Sequence, residues 1–143
     1  MNTLKNFLAP LPENDQSYET YEVIENEIIS NRNLCDYVVS GSLFSLTIFK
    51  NVVFRSCTFY ASKMENCTFV NCSFIDCKFQ FTDITYCNFQ NSDFSNCTWD
   101  SSPVYKCLAT NCNMDYKTEH YFLQNSRFVE NEDFTLVEEL VAA

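Results

Sequence analysis

Glycine and histidine are almost missing from this chain. Its 143 residues include one glycine, Gly41, and one histidine, His120. A single glycine excludes the glycine-rich loop that cradles nucleotide phosphates. A single histidine, beside no cysteine nucleophile, removes the usual general base, and no pair of carboxylates stands in for it. We therefore expect no enzyme, and read His120 as a surface residue. Basic residues are scarce as well, 9 against 19 acidic ones, for a formal net charge of −10. No basic patch exists to hold phosphates, so nucleic acid is not an expected partner. Long apolar runs are absent too: near the start the longest is Phe7-Leu8-Ala9. That is too short for a signal-peptide core or a membrane span, so the expectation is no membrane and a cytoplasmic protein. The nine cysteines include no C-x-x-C pair and are odd in number, which argues against a metal site, a cofactor or a disulfide framework.

What is present is a period of five. Phe44, Phe49, Phe54, Phe59, Met64, Phe69, Phe74, Phe79, Ile84, Phe89, Phe94, Trp99, Val104, Ala109 and Met114 follow one another at steps of five. Two residues before each stands a small side chain, from Ser42, Thr47, Val52 and Cys57 through to Cys107 and Cys112. This period is neither helical nor that of a plain strand. In a strand, residues i and i−2 share a face, so each pentad sends one large and one small side chain inward. Asn51, Asn66, Asn71, Asn91, Asn96 and Asn111 recur two residues after the large one. Asparagine tolerates left-handed backbone and suits a corner. Four short strands and four corners close a coil, so residues twenty apart stack. Phe49, Phe69 and Phe89 then fall in one column and Phe54, Phe74 and Phe94 in another. Eight cysteines lie on the inward small position, where a thiol packs as a small apolar group; Cys35 lies off the pattern.

The units TFYAS, TFVNC, SFIDC, KFQFT, NFQNS and DFSNC resemble pentapeptide repeats. The resemblance covers Ser42 to Asp115 closely and extends back to about Ile24. It implies an all-β fold, a right-handed quadrilateral parallel β-helix solenoid. Alanine and leucine are the family's commonest small and large residues; cysteine or serine and phenylalanine replace them here, which preserves the interior volume pattern.

Along the chain, residues 1–17 are read as a mobile or capping N-terminus and 18–130 as the β-helix, with its regular part over 42–115. Between Tyr18 and Asn33 the large positions stay in phase, but Glu22 and Glu27 replace the small residues; an irregular first turn or a short helix fits. At Asp115 the phase breaks. A loop or bulge over 115–122 is expected, with Leu123 and Phe128 resuming the step of five. Residues 131–143 read as a short C-terminal helix that starts at Asn131-Glu132-Asp133. Its apolar stripe, Phe134, Val137, Leu140 and Val141, would cap the solenoid or pair with a second copy, leaving monomer or homodimer open.

Some pentapeptide repeat proteins resemble duplex DNA in width and negative charge, and bind DNA gyrase in its place. That use needs charge along the rod. From Phe44 to Met114 the acids are Glu65, Asp76, Asp83, Asp93 and Asp100, and the bases Lys50, Arg55, Lys63, Lys78 and Lys106. The regular region is neutral and the excess lies in the flanks, a poor copy of a phosphate backbone. The leading expectation is a non-enzymatic interaction module, a rigid rod showing one side to a protein partner. Toxin neutralisation by an immunity-type protein is the next reading, and gyrase protection the third. Tyr60, Phe81, Tyr86 and Tyr105 are expected to gather around one edge as the partner site, while the other sides offer chiefly Val70 and Ile75.

Overall fold

The computed structural model describes residues 18–20 and 22–129, with side chains over residues 22–127. The proposed helix over 131–143, and with it Phe134, Val137, Leu140 and Val141, lies outside the described residues. Within them the chain winds as a four-sided parallel β-helix of about five coils. Most strands are three residues long, such as Thr68–Val70, Ser73–Ile75, Lys78–Gln80 and Asp83–Thr85. Two longer ones, Ile28–Cys35 and Ile48–Arg55, run around a corner without a break.

The corners explain the asparagines. Two residues after each large side chain the backbone turns left-handed, with φ between 48° at Ser101 and 61° at Asp36. All six asparagines of the sequence pattern occupy such corners, joined by Asn26 and Asn31. Their amides also bond from coil to coil: Asn111 Nδ2 donates to Asn91 Oδ1 at 2.9 Å and Asn51 Nδ2 to Asn31 Oδ1 at 3.2 Å.

Successive coils pair in parallel at a register of twenty, so Phe69 lies between Phe49 and Phe89, and Phe74 between Phe54 and Phe94. The rings follow the strands. Phe49–Phe69, Phe69–Phe89, Phe54–Phe74 and Phe74–Phe94 stack nearly parallel, with centroids 4.8, 4.7, 4.7 and 4.5 Å apart. Aromatic pairs left free prefer offset or edge geometry. Here the interstrand spacing of roughly 4.8 Å imposes the stack. Neighbouring sides compensate with edge contacts, Phe44–Phe49 at 5.9 Å and Phe89–Phe94 at 5.4 Å among them. At roughly 1.5–3 kcal/mol per buried large side chain, these columns are the main favourable contribution to folding.

The inward small residues do more than fill space. Each hydroxyl or thiol reaches backbone groups that the corner leaves unpaired. Thr82 Oγ1 lies 2.9 Å from the Phe59 carbonyl and 3.1 Å from that of Gln80, and Ser62 N donates back to Thr82 Oγ1 at 3.3 Å. Cysteine plays the same part: Cys77 Sγ lies 3.3 Å from the Phe54 carbonyl and 3.5 Å from that of Ile75. Unpaired buried backbone groups are expensive, which favours Ser, Thr or Cys at these positions. The repeat thiols pack inward as expected, seven of the eight buried and Cys112 half-buried, and they add these hydrogen bonds. All nine cysteines are free, and Cys35 is half-buried.

Both ends depart from the regular pattern. The described residues up to Cys35 form strands of a first coil, Tyr18–Thr20, Val23–Glu25 and Ile28–Cys35, rather than a helix. Ile24, Ile29, Leu34 and Val39 are buried in phase, and Tyr37 fills a slot that later coils give to cysteine. At the other end, the loop expected over 115–122 is a helix, Tyr116–Asn125. Asp115 is its N-cap, accepting from Thr118 N at 2.8 Å, and its other carboxylate oxygen accepts from Cys97 N at 2.9 Å. A helical turn here rotates Phe122 inward and Leu123 outward. Phe122 is buried against the edges of Phe89 and Phe94, whereas Leu123, expected inside, is 62% exposed. Tyr121 stacks on Trp99, and Trp99 Nε1 donates to Thr118 Oγ1 at 2.8 Å. This helix covers the rings of the last coil. The chain then returns to the sheet as Arg127–Val129, with Phe128 beside Ala109 at a register of nineteen.

Candidate interaction site

The four sides differ in what they show outside. One side consists of Val23–Glu25, Leu43–Ser45, Lys63–Glu65, Asp83–Thr85 and Val104–Tyr105. Its outer surface is polar, with Lys63, Asp83 and Glu65 facing solvent. Lys63 and Glu65 stand 3.7 Å apart, the only ion pair among the described residues. Exposed pairs of this kind contribute little.

Aromatic rings border this side. On the corner that leads into it, Tyr60 and Phe81 meet edge to face at 5.9 Å. On the corner that leads out, Tyr86 and Tyr105 meet edge to face at 6.2 Å, and Lys106 Nζ lies 5.7 Å over the Tyr105 ring. The four residues are 45, 53, 57 and 42% exposed, in chain order. They are therefore two pairs on neighbouring corners and not one edge. The sequence reading placed them all at one edge because it did not resolve which corner each pentad serves. A three-residue strand separates the pairs, roughly 10 Å, so together they frame one face.

Two of these rings stand where the backbone least favours them. Phe81 has φ 50° and Tyr86 φ 53°. A non-glycine residue in this region carries roughly 1–2 kcal/mol of strain, which asparagine relieves by local hydrogen bonding. The corner directly below Tyr86 is Asn66. Phe81 and Tyr86 thus combine a strained backbone with a ring left half in water.

Sequence reasoning missed a second apolar strip. Ile28, Leu46 and Ile48 are exposed, and Ile28 pairs with Ile48 in register. Their signal was legible: two isoleucines twenty apart and a leucine on a corner. Val70 and Ile75, expected to be the main apolar residues elsewhere, are half-buried.

The repeat thiols are buried apart from Cys112, and their acidities shift in both directions. Burial pushes Cys72 up to about 11 and raises Cys112 as well. Hydrogen bonds from Cys57 and Cys97, then burial, hold Cys77 up, and Cys107 and Cys67 do the same for Cys87. Hydrogen bonds with Cys77 lower Cys57 and Cys97, and those with Cys87 lower Cys67 and Cys107, but all four are buried. No group of three or more His, Cys, Asp or Glu among the described residues is placed to hold a metal ion. His120 lies on the exposed face of the helix with its Nε2 3.2 Å from Gln124 Nε2. No helix among the described residues is long and apolar enough to cross a membrane.

A parallel solenoid whose large interior residue returns every fifth position is a repeat protein of the four-sided β-helix class. The family model for the pentapeptide repeat region matches residues 47–126, more than half of the chain, and the chain belongs to that family. Solved structures similar to it include a pentapeptide repeat protein (Rfr23) from the cyanobacterium Cyanothece 51142. That protein is 10% identical at a TM-score of 0.37, over 78% of this chain and 84% of that one. Two trypsin-treated forms of QnrB1, a plasmid-mediated fluoroquinolone resistance protein, are 12 and 13% identical at TM-scores of 0.22 and 0.23. Each similarity covers 90% of this chain and 99% of the other. No curated protein sequence matches the chain.

Proposed function

We propose that this protein is a non-enzymatic interaction module of the cytoplasm. A partner protein seats on the face framed by Tyr60, Phe81, Tyr86 and Tyr105. The observation that carries this reading is the placement of Phe81 and Tyr86 on left-handed corners, half exposed. Asparagine, which fills eight of the other corners, suits this backbone best, and the departure from it at two half-exposed rings supports a use in binding. Exposed aromatic groups on a rigid frame lose little entropy on binding and act as anchors. The unbridged thiols suit a reducing compartment.

The test is capture of partners from the native host, comparing the wild-type chain with Phe81→Ser/Tyr86→Ser. A specific partner retained by the first and lost by the second supports the reading. An unchanged set of partners refutes it. A gyrase supercoiling assay with added protein serves as a control, and we expect no protection, because the regular region from Phe44 to Met114 carries equal numbers of acids and bases.

A further inference from the structure

Beside the Tyr86 corner the rod has a recess of about 660 Å³, where the last coil meets the end of the helix Tyr116–Asn125. Tyr86 and Tyr105 form one wall, Leu108 and Asn125 line it further, and Lys106 and Arg127 bring two cations to it. Its volume falls within the usual range for ligand-sized clefts. Tertiary structure alone assembles it. Lys106 sits on a left-handed corner, φ 58°, and its N–H donates to the Asn125 carbonyl at 2.8 Å. Arg127 opens the strand after the helix, where its N–H donates to the Cys107 carbonyl at 2.9 Å.

The charge of the recess runs against that of the chain. The whole chain carries −10, yet two cations meet here. Neither has a carboxylate partner among the described residues, where the one ion pair is Lys63–Glu65. Lys106 is instead held over the Tyr105 ring. A guanidinium and an ammonium beside two aromatic faces match a carboxylate with an apolar or aromatic group next to it.

We propose that this recess takes an acidic peptide segment of a partner protein, in which a carboxylate neighbours an aromatic or branched apolar side chain. The inference rests on the reading of the aromatic frame as a protein-binding face, and adds the chemical class of what binds. Arg127 and Lys106 hold the carboxylate, and Tyr86 and Tyr105 cover the apolar neighbour.

The probe is the peptide acetyl-Glu-Phe-Glu-Leu-amide, titrated into the full ¹⁵N-labelled chain at low salt. Its neutral counterpart, with Gln for each Glu, and inorganic phosphate are run beside it. The expected result is saturable shifts at the amides of Lys106, Leu108 and Arg127, with affinity at least tenfold above that for the Gln peptide. Lys106→Gln and Arg127→Gln each weaken it tenfold or more with an unchanged thermal midpoint, and salt weakens it further. Equal binding of the Gln peptide, no saturable shift, or equal competition by phosphate overturns the acidic-peptide assignment. So does a tenfold gain in affinity on Glu130→Gln/Glu132→Gln/Asp133→Gln, which would make the chain's own C-terminal segment the occupant. Each of these leaves the aromatic frame standing if Phe81→Ser still abolishes partner capture. Failure of both experiments removes the frame as well.

Discussion

Replacing Tyr86 with asparagine should make this protein more stable and less able to bind. The corner holds φ 53°, which is worth roughly 1–2 kcal/mol of strain for tyrosine and little for asparagine. An asparagine there would stand above Asn66, as Asn111 stands above Asn91 with its amide bond of 2.9 Å. An exposed bond of this kind contributes at most about 0.5–1 kcal/mol net. Against this stands the lost edge contact with Tyr105 at 6.2 Å, worth roughly 0.5–1.5 kcal/mol. The balance favours Tyr86→Asn by about 1 kcal/mol. The reverse change, Asn66→Tyr, lies in the same column one coil away, and made on the Tyr86→Asn chain it introduces the strain without a tyrosine beside it. It should cost about 1–2 kcal/mol. Urea unfolding followed by fluorescence reads both, since Trp99 is the chain's only tryptophan and is stacked between Phe79 and Tyr121. Destabilisation by Tyr86→Asn, or an Asn66→Tyr/Tyr86→Asn variant as stable as Tyr86→Asn alone, would refute the claim that the ring is held against the preference of the backbone. The functional reading would then lose its main support.

Three further outcomes follow from the same geometry. Phe74→Ala removes a ring stacked on both neighbouring coils and should destabilise by about 3–5 kcal/mol in urea titration; a loss below 1 kcal/mol would mean the column is loosely packed. Thr118→Val leaves Trp99 Nε1 without its acceptor, at roughly 1–3 kcal/mol, and should shift the tryptophan emission; an unchanged spectrum and stability would show that the helix does not hold the last coil. The third concerns pH. The Cys72 thiol rises from its ordinary 9.0 to about 11 on folding. Above pH 9.0 the unfolded chain releases this proton first, so the contribution is present below pH 9.0 and is lost as pH climbs towards 11. The difference is worth roughly 2–3 kcal/mol. Wild type should therefore lose more stability than Cys72→Ser between pH 8 and 11, and parallel losses would contradict the protonated, buried thiol.

Much of this protein is written in its order of residues. A step of five from Phe44 to Met114, with asparagine two places on, leaves the backbone a strand and a left-handed corner to repeat. Side-chain direction alternates along a strand, so the interior list could be read without coordinates, as far as Phe69 between Phe49 and Phe89. Choosing the exposed rings needed no more than the phase. The phase does not say which corner each pentad turns, so two facing pairs were read as a single edge. It also fails where the period breaks. Asp115 caps a helix whose inward residue is Phe122, because that helix covers the rings of Phe89, Phe94 and Trp99 at the open end of the coil. The recess by Tyr86 was wholly illegible, since Lys106 and Arg127 become neighbours only when the chain passes through the helix and rejoins the sheet. Local periodicity sets what points inward. Packing across the last coil decides where the helix forms and which charges meet, because those contacts join residues that no short-range rule relates.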